Sequence, residues 1–258
     1  MGNFTAVGDL GRVGISALIT LIASYVGWRL TSGLYGAIGL GVFALLWQLS
    51  KERRSENTSK PSSVSFSFLI KHPKFIAVSL TGMLDAFASS SLFIFIPFLL
   101  LEKGVGTAAL GLLTAFFFVG NMAGKTMLGR FVDKFGSLKV FATAELLMAI
   151  TIALFTQIES WWLIAVVAVL LGALTKGTVP VIQTMVADVT ETERSFEQVF
   201  ALNSLFVSLA SATAPLILGL IANNLGITYV FITSAGFAIL AATSTLGVRW
   251  VNARAASR

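Results

Sequence analysis

Four ionisable side chains interrupt long apolar stretches of this 258-residue sequence: Asp85, Lys125, Glu145 and Lys176. In a segment apolar enough to enter a bilayer, a central charge costs roughly 2.5–3.5 kcal/mol unless it faces protein or water. Each of these residues is therefore a candidate for binding or exchanging charge. Removal from water favours the uncharged form, which makes Asp85 a candidate for exchanging a proton or a cationic solute.

The depths of the four residues pair them by opposite sign. With a helical rise of about 1.5 Å per residue and a core of about 30 Å, Asp85 and Lys176 both lie near the midplane. Lys125 and Glu145 lie nearer the inner surface. We predict an Asp85/Lys176 contact and a buried Lys125/Glu145 pair. An open alternative is that each pair only neutralises its own charges and fixes helix register.

Polar side chains recur at helical spacing on the faces that carry these charges. We expect these faces to line a polar cavity, although hydroxyl residues also occur simply where membrane helices pack closely. The candidate residues for solute binding or proton coupling are Asp85, Lys176, Thr81, Ser89, Asn121, Gln183 and Asn203.

The composition predicts an integral membrane protein. Hydrophobic residues make up 56% of the chain and charged residues 12%, against about 25% charged in soluble domains. The mean hydropathy is +0.87. With no cysteine and only His72, we expect no thiolate or multi-histidine metal site and no cofactor. The excess positive charge is scattered between apolar runs, so we expect no nucleic-acid partner.

Eight stretches have the length of a membrane-spanning helix, and their continuous apolar character excludes the alternation of a barrel strand. We predict an all-α membrane protein, a polytopic bundle of eight transmembrane helices. The predicted spans are 10–27, 31–49, 75–101, 107–128, 137–157, 161–187, 197–223 and 227–249.

The loops predict the orientation and the domains. Placing the basic, serine-rich stretch 51–74 inside leaves only Arg29 and Lys103 among the loop cations outside, so both termini are predicted to be cytoplasmic, at the plasma (inner) membrane. The domains are then two helices (1–50), a cytoplasmic linker with an interfacial segment (51–74), and a six-helix half (75–258).

A charged turn joins the fourth and fifth predicted spans, with the sequence GRFVDKFGSLK from Gly129 to Lys139. It resembles the signature G-x-x-x-D-[R/K]-x-G-x-[R/K]-[R/K] of the major facilitator superfamily, and departs from it at Ser137 and Leu138. It is most similar to the weaker copy of the signature, between helices eight and nine. The residues that carry the resemblance are Gly129, Arg130, Asp133, Lys134, Gly136 and Lys139.

The resemblance covers essentially the whole chain as helices five to twelve of a twelve-helix fold, because Gly8 to Arg12 also resembles the start of helix five. It implies a partial fold of this superfamily, with helices one to four absent or supplied elsewhere, by a missing N-terminal part or a second chain. It further implies that the charged turn is a cytoplasmic gate. Asp133 would contact the loop of Asp9 and Arg12, where helix N-terminal amides favour an anion.

The implied function is secondary active transport of a small solute by alternating access, as a permease or efflux protein, with proton coupling left open. The alternative is an inactive or assembly-only membrane fragment without autonomous transport. No histidine, cysteine or nucleophilic serine motif accompanies the membrane acids, so we do not predict an enzyme.

Overall fold

A computed structural model describes residues 22–23, 25–53, 71–193 and 196–256 of the chain. These residues are helical with short turns and contain no strand, which confirms the all-α prediction. Most of the first predicted span and residues 54–70 of the linker lie outside the described residues. The helices are α1 (Trp28–Arg53), α2 (Pro73–Ser89), α3 (Leu92–Glu102), α4 (Thr107–Phe135), α5 (Ser137–Gln157), α6 (Trp161–Glu193), α7 (Phe196–Leu225) and α8 (Ile227–Ala256).

Six stretches of the described chain are long and apolar enough to cross a bilayer. This confirms a polytopic helical membrane protein. The predicted span 107–128 is helical throughout within α4, whose 29 residues extend roughly 43 Å. The six are Trp28–Leu49, Pro73–Glu102, Ser137–Gln157, Trp161–Val189, Phe196–Leu225 and Ile227–Arg254.

The predicted span 75–101 is not one helix but two, α2 and α3, separated at Ser90 and Ser91. Serine hydroxyls compete with the helical ladder for backbone groups. The Ser90 hydroxyl donates to the carbonyl of Ala86. Pro97 in α3 has no N–H to donate to the preceding turn. The two helices still form one apolar stretch across the membrane.

The chain divides into two compact units, residues 7–63 and the remainder. Helix α1 belongs to the first unit, and Thr31 is its only buried side chain between residues 28 and 49. The Thr31 hydroxyl donates to the carbonyl of Gly27. The predicted division at the linker 51–74 stays a prediction.

The second unit packs α2 to α8 around two separate apolar clusters. One cluster, toward one end of the unit, contains Phe155 and Phe231. The other, toward the opposite end, contains Phe75 and Phe141. On α2, α4, α5, α6 and α7, buried polar residues lie between the residues of the two clusters in sequence. We call this level the polar layer; it contains the buried Thr81, Asp85, Asn121, Lys125, Glu145, Thr175, Thr178 and Asn203, with the half-buried Lys176 and Ser244.

Two lysines tie the ends of the helices together. Lys74, at the start of α2, donates to the carbonyl of Asp188 near the end of α6, at 2.8 Å. Lys103, after α3, donates to the carbonyls of Thr156 and Ile158 at 2.9 and 2.7 Å. The carbonyls of a helix C-terminus lack partners within the helix, so Lys103 completes the end of α5.

Glycines bring α4 and α6 into backbone contact. A Cβ atom added to Gly120 would collide with the carbonyl of Val169, and one added to Gly124 would collide with the backbone of Ala173. In the other direction, a Cβ on Gly177 would lie 3.1 Å from the carbonyl of Gly124. Small residues allow membrane helices to approach this closely, so the glycines set the separation of α4 and α6.

We expect Gly124→Ala to destabilise the protein, because the new Cβ meets backbone atoms that cannot rotate away. Overpacking of this kind costs about 1–3 kcal/mol. Gly111→Ala, also on α4, is the matched control, since nothing lies within 4 Å of its Cβ. The measurement is the free energy of unfolding in detergent by denaturant titration. Equal stabilities of the two variants would contradict the proposed backbone contact.

Candidate functional site

Asp85 is the centre of the polar layer. Helix α2 buries it to 4% exposure. The hydroxyl of Thr178 on α6 donates to Asp85 Oδ1 at 3.0 Å. Lys176, two residues earlier on α6, lies close enough for its charge to act on the Asp85 carboxyl. Asp85 on α2 and Lys176 on α6 are therefore electrostatic neighbours, and a direct contact between them stays a prediction.

Glu145 lies against Asp85. Helix α5 buries Glu145 completely, and its carboxyl is next to the carboxyl of Asp85. Both Glu145 oxygens are buried, and neither accepts a hydrogen bond from any donor in the described chain. Two ionised carboxylates are both acceptors, so this contact forms no hydrogen bond without a proton. The site thus contains an acidic pair that the sequence analysis did not predict.

The predicted depths of Asp85 and Glu145 were too far apart. They placed Asp85 at the midplane and Glu145 near the inner surface, beside Lys125. Depth counted along each helix from its own end neglects helix tilt, which averages about 20° in membrane proteins. It also neglects the reach of the glutamate side chain. The two carboxyls consequently meet at one level.

The backbone contact between α4 and α6 places Lys125 at the level of the polar layer. Gly124 packs against Gly177, and these glycines are the chain neighbours of Lys125 and Lys176. Lys125 is 6% exposed. Because the Glu145 oxygens accept no hydrogen bond from the described residues, Lys125 is not hydrogen-bonded to Glu145. A looser Lys125/Glu145 contact stays a prediction.

The other candidate residues lie between helices. Thr81 shares a hydrogen bond with Ser244 of α8 at 2.8 Å. Asn203 on α7 lies beside Gly82, and its Oδ1 atom is buried without a hydrogen-bond partner. Ser89 and Asn121 are buried, and Gln183 is half-buried. The faces that we expected to line a cavity are thus largely closed within this unit, because α2 packs against α6, α7 and α8.

Two polar partners escaped the sequence analysis, Thr178 and Ser244. The only sequence feature that could have pointed to Thr178 is its position two residues after Lys176. Its contact with Asp85 spans 93 residues of sequence. Ser244 meets Thr81 across 163 residues. Contacts at such separations depend on which helices become neighbours, and periodicity within one helix does not report this.

An apolar crevice between α3, α4 and α6 also escaped the sequence analysis. Pro97 lies on its α3 side. Thr114 is its only polar residue among the described residues that line it. The lining residues are Phe93, Ile96, Pro97, Leu100, Leu110, Leu113, Thr114, Phe117 and Ala168.

The charged turn is at the surface of the unit, as expected. Gly136 alone separates α4 from α5, and its φ of 83° is one that glycine adopts without strain. Gly129 is half-buried. The other predicted gate residues, Arg130, Asp133, Lys134, Gly136 and Lys139, are exposed. Asp9 and Arg12 lie outside the described residues, so the gate contact stays a prediction.

Comparison with known proteins identifies the family. Residues 78–258, which run from α2 to the end of the chain, match the family model described as Major Facilitator Superfamily. The chain belongs to the major facilitator superfamily. Members of this superfamily are membrane transporters of small solutes. The family match confirms the resemblance that the charged turn carries.

A curated relative is named "Putative multidrug resistance protein MdtD", from Pectobacterium atrosepticum. It is 29% identical to this chain over 144 residues. The match takes in 54% of this chain and 30% of the relative. The chain therefore spans about a third of the length of the curated relative that it matches.

We expect Thr178→Val to destabilise the protein by about 1–3 kcal/mol, the cost of leaving a buried acceptor without its donor. Thr175→Val is the matched control, because Thr175 is equally buried one turn earlier and donates only to carbonyls of its own helix. Unfolding free energies in detergent give the comparison. A loss at position 175 as large as that at 178 would show that the Asp85 hydrogen bond contributes nothing particular.

Proposed function

We propose that this major facilitator protein takes part in secondary active transport of a small solute by alternating access, with the polar layer as the site of charge exchange. The observation that carries the proposal is the position of four ionisable groups at one buried level of a membrane bundle. Each costs roughly 2.5–3.5 kcal/mol to insert. Such a cost is expected where charges serve an ion or solute pathway.

The arrangement of the charges supports exchange over a purely structural role. A structural pair would join one acid to one base with full hydrogen bonding. Here Asp85 is shared by Lys176, Thr178 and Glu145, and the Glu145 oxygens accept no hydrogen bond from the described chain. A site with an incompletely bonded acid can change its partners or its protonation during a transport cycle.

Access to this layer requires movement, because its acids are closed off within the unit. Break points at Ser90 and Ser91 between α2 and α3, and prolines within α6 and α7, allow helices to bend. We propose that the charged turn from Gly129 to Lys139 acts as the cytoplasmic gate. On this proposal both termini are cytoplasmic and the protein lies in the plasma (inner) membrane.

The direction of transport that we propose is efflux. The support is the name of the curated relative, which describes a multidrug resistance protein. Asp85 suits a cationic or proton-coupled solute, and Lys176 suits an anionic one. Their proximity leaves the sign of the solute open.

An assembly-only role is the second candidate. The observation that favours it is the closed polar layer, whose acids are buried within the unit. In this role the unit would bind further helices instead of moving a solute. A missing N-terminal part or a second chain would be its partner.

The test is uptake of ethidium, a lipophilic cation, by proteoliposomes that contain the whole chain and carry an imposed pH gradient. We expect Asp85→Asn to reduce uptake by about 5- to 150-fold, the range of a coupling energy of 1–3 kcal/mol. Glu102→Gln is the matched control, since Glu102 is an exposed acid at the end of α3.

Unchanged uptake by the Asp85→Asn variant would remove Asp85 from the pathway. No uptake by the unsubstituted chain under a gradient of either direction would contradict the transport proposal and favour the assembly role.

A further inference from the structure

The interruption between α2 and α3 leaves polar backbone groups inside the membrane-crossing stretch Pro73–Glu102. At the end of α2, the N–H of Ser90 donates to the carbonyl of Ala86, and the carbonyl of Ser91 then accepts from N–H groups of α3. The N–H of Ser91 donates to no backbone carbonyl of the described chain, so its helical bond to Phe87 is missing. We call this position, Ser90 and Ser91, the helix break. Because lipid supplies no hydrogen bonds, the freed donor and acceptor need partners within the protein.

Helix α8 runs antiparallel to α2 and brings a buried serine to the helix break. Two pairs of residues, one from each helix, set the register: Thr81 with Ser244 at 2.8 Å, and Phe87 with Phe237 at 5.0 Å between ring centroids. An advance of six residues on α2 therefore corresponds to a retreat of seven on α8. Continued to the helix break, this register places Ser91 opposite Ser234.

Both of these serines are buried without a partner. Ser91 and Ser234 are each 0% exposed. Neither hydroxyl has a hydrogen-bond partner among the described residues. The neighbouring Ser90 differs, since its hydroxyl donates to the carbonyl of Ala86. Buried polar atoms of native proteins are almost always hydrogen-bonded, so two unpartnered hydroxyls at one position indicate a bound ligand.

We propose that the helix break binds one water molecule, held between the hydroxyls of Ser91 and Ser234. The chemistry of the surrounding groups selects water over an ion. They are all neutral, and they comprise a donor (the Ser91 N–H), an acceptor (the Phe87 carbonyl) and two hydroxyls that can act as either. Water both donates and accepts, and a buried water typically makes about three hydrogen bonds. A cation would face the N–H group, and an anion would face the carbonyl.

The local sequence agrees with a water in the helical ladder. Causes of irregular helices include proline, pairs of glycine or serine, and a water inserted between the N–H and carbonyl groups. No glycine or proline lies between Gly82 and Pro97. Pro97 removes the helical bond to Phe93, one turn before it, and leaves the bond between Ser91 and Phe87 unaffected. The water takes the place of that missing bond, and the serines hold the water.

The water site is independent of the proposed transport function. Its groups belong to α2, α3 and α8, and they are not among the candidate residues for solute binding. Binding of water can therefore be measured on the purified chain without a solute.

Two alanine variants test the site by the sign of their effect on stability. We expect Ser91→Ala and Ser234→Ala each to raise the equilibrium constant of unfolding by about 2- to 12-fold, the loss of one hydrogen bond of ordinary net strength. The double variant should show less than the product of the two effects, because both hydroxyls bind the same water. Ser208→Ala, at an exposed serine of α7, is the matched control and should leave the constant unchanged. Denaturant titration in detergent gives these constants.

Radiolytic labelling of the unsubstituted chain in detergent tests for the water itself. Intense X-rays convert a bound water into hydroxyl radicals, which oxidise the side chains beside it. The probe is Phe231, which is fully buried one turn before Ser234. The control is Phe141, equally buried in the other apolar cluster. We expect oxidation of Phe231 but not of Phe141, and loss of the Phe231 label in the double alanine variant.

Three results would overturn the proposal. Greater stability of either single variant would show that its hydroxyl is unsatisfied in the native chain, because alanine then removes a burial cost. Independent effects of the two substitutions would show that the hydroxyls share no ligand. Equal labelling of Phe231 and Phe141 would exclude a water at the helix break and leave a direct hydrogen bond between the hydroxyls as the source of any coupling. If the alanine variants do not fold, labelling of the unsubstituted chain decides alone.

Discussion

The cost of keeping charge out of water governs the structure of the second unit, α2 to α8. Its long helices are apolar over most of their length, and the buried ionisable residues lie at one level between two apolar clusters. There, Asp85 and Glu145 must find hydrogen bonds or opposite charges within the protein, because the membrane supplies neither. In the polar layer, each buried polar or charged group therefore depends on its neighbours to offset the cost of its burial.

The position of α6 determines which neighbours those are. This helix supplies Lys176 and Thr178 to Asp85, and its contact with α4 depends on glycines that leave no room for a Cβ. Wider separation would move Lys125 away from the layer and loosen the face that reaches Asp85. Backbone packing and electrostatics are thus coupled, because the glycines that bring α4 and α6 together also set the positions of Lys125 and Lys176.

Family membership and the polar layer point in the same direction. A superfamily of membrane transporters needs a place where a solute or ion can exchange charge, and the layer offers two acids and two lysines there. The surface turn at Gly136 is remote from that chemistry in sequence and belongs to the end of the bundle. The core and the turn are therefore separate features, one proposed for exchange of charge and one proposed for gating.

The amino-acid sequence determined the all-α membrane class, most helix positions, the charged turn and the identity of the buried ionisable residues. Composition and helical periodicity are local properties, so they can be read along the chain. The division of the span 75–101 was missed because an apolar run does not reveal competition from three successive serines. Only the tertiary structure decided that Glu145 meets Asp85, that Thr178 donates to Asp85, and that the presumed cavity faces are closed. Those outcomes depend on helix tilt and on which helices become neighbours. Asp85 and Thr178 are 93 positions apart in sequence, so no local sequence pattern predicts their contact.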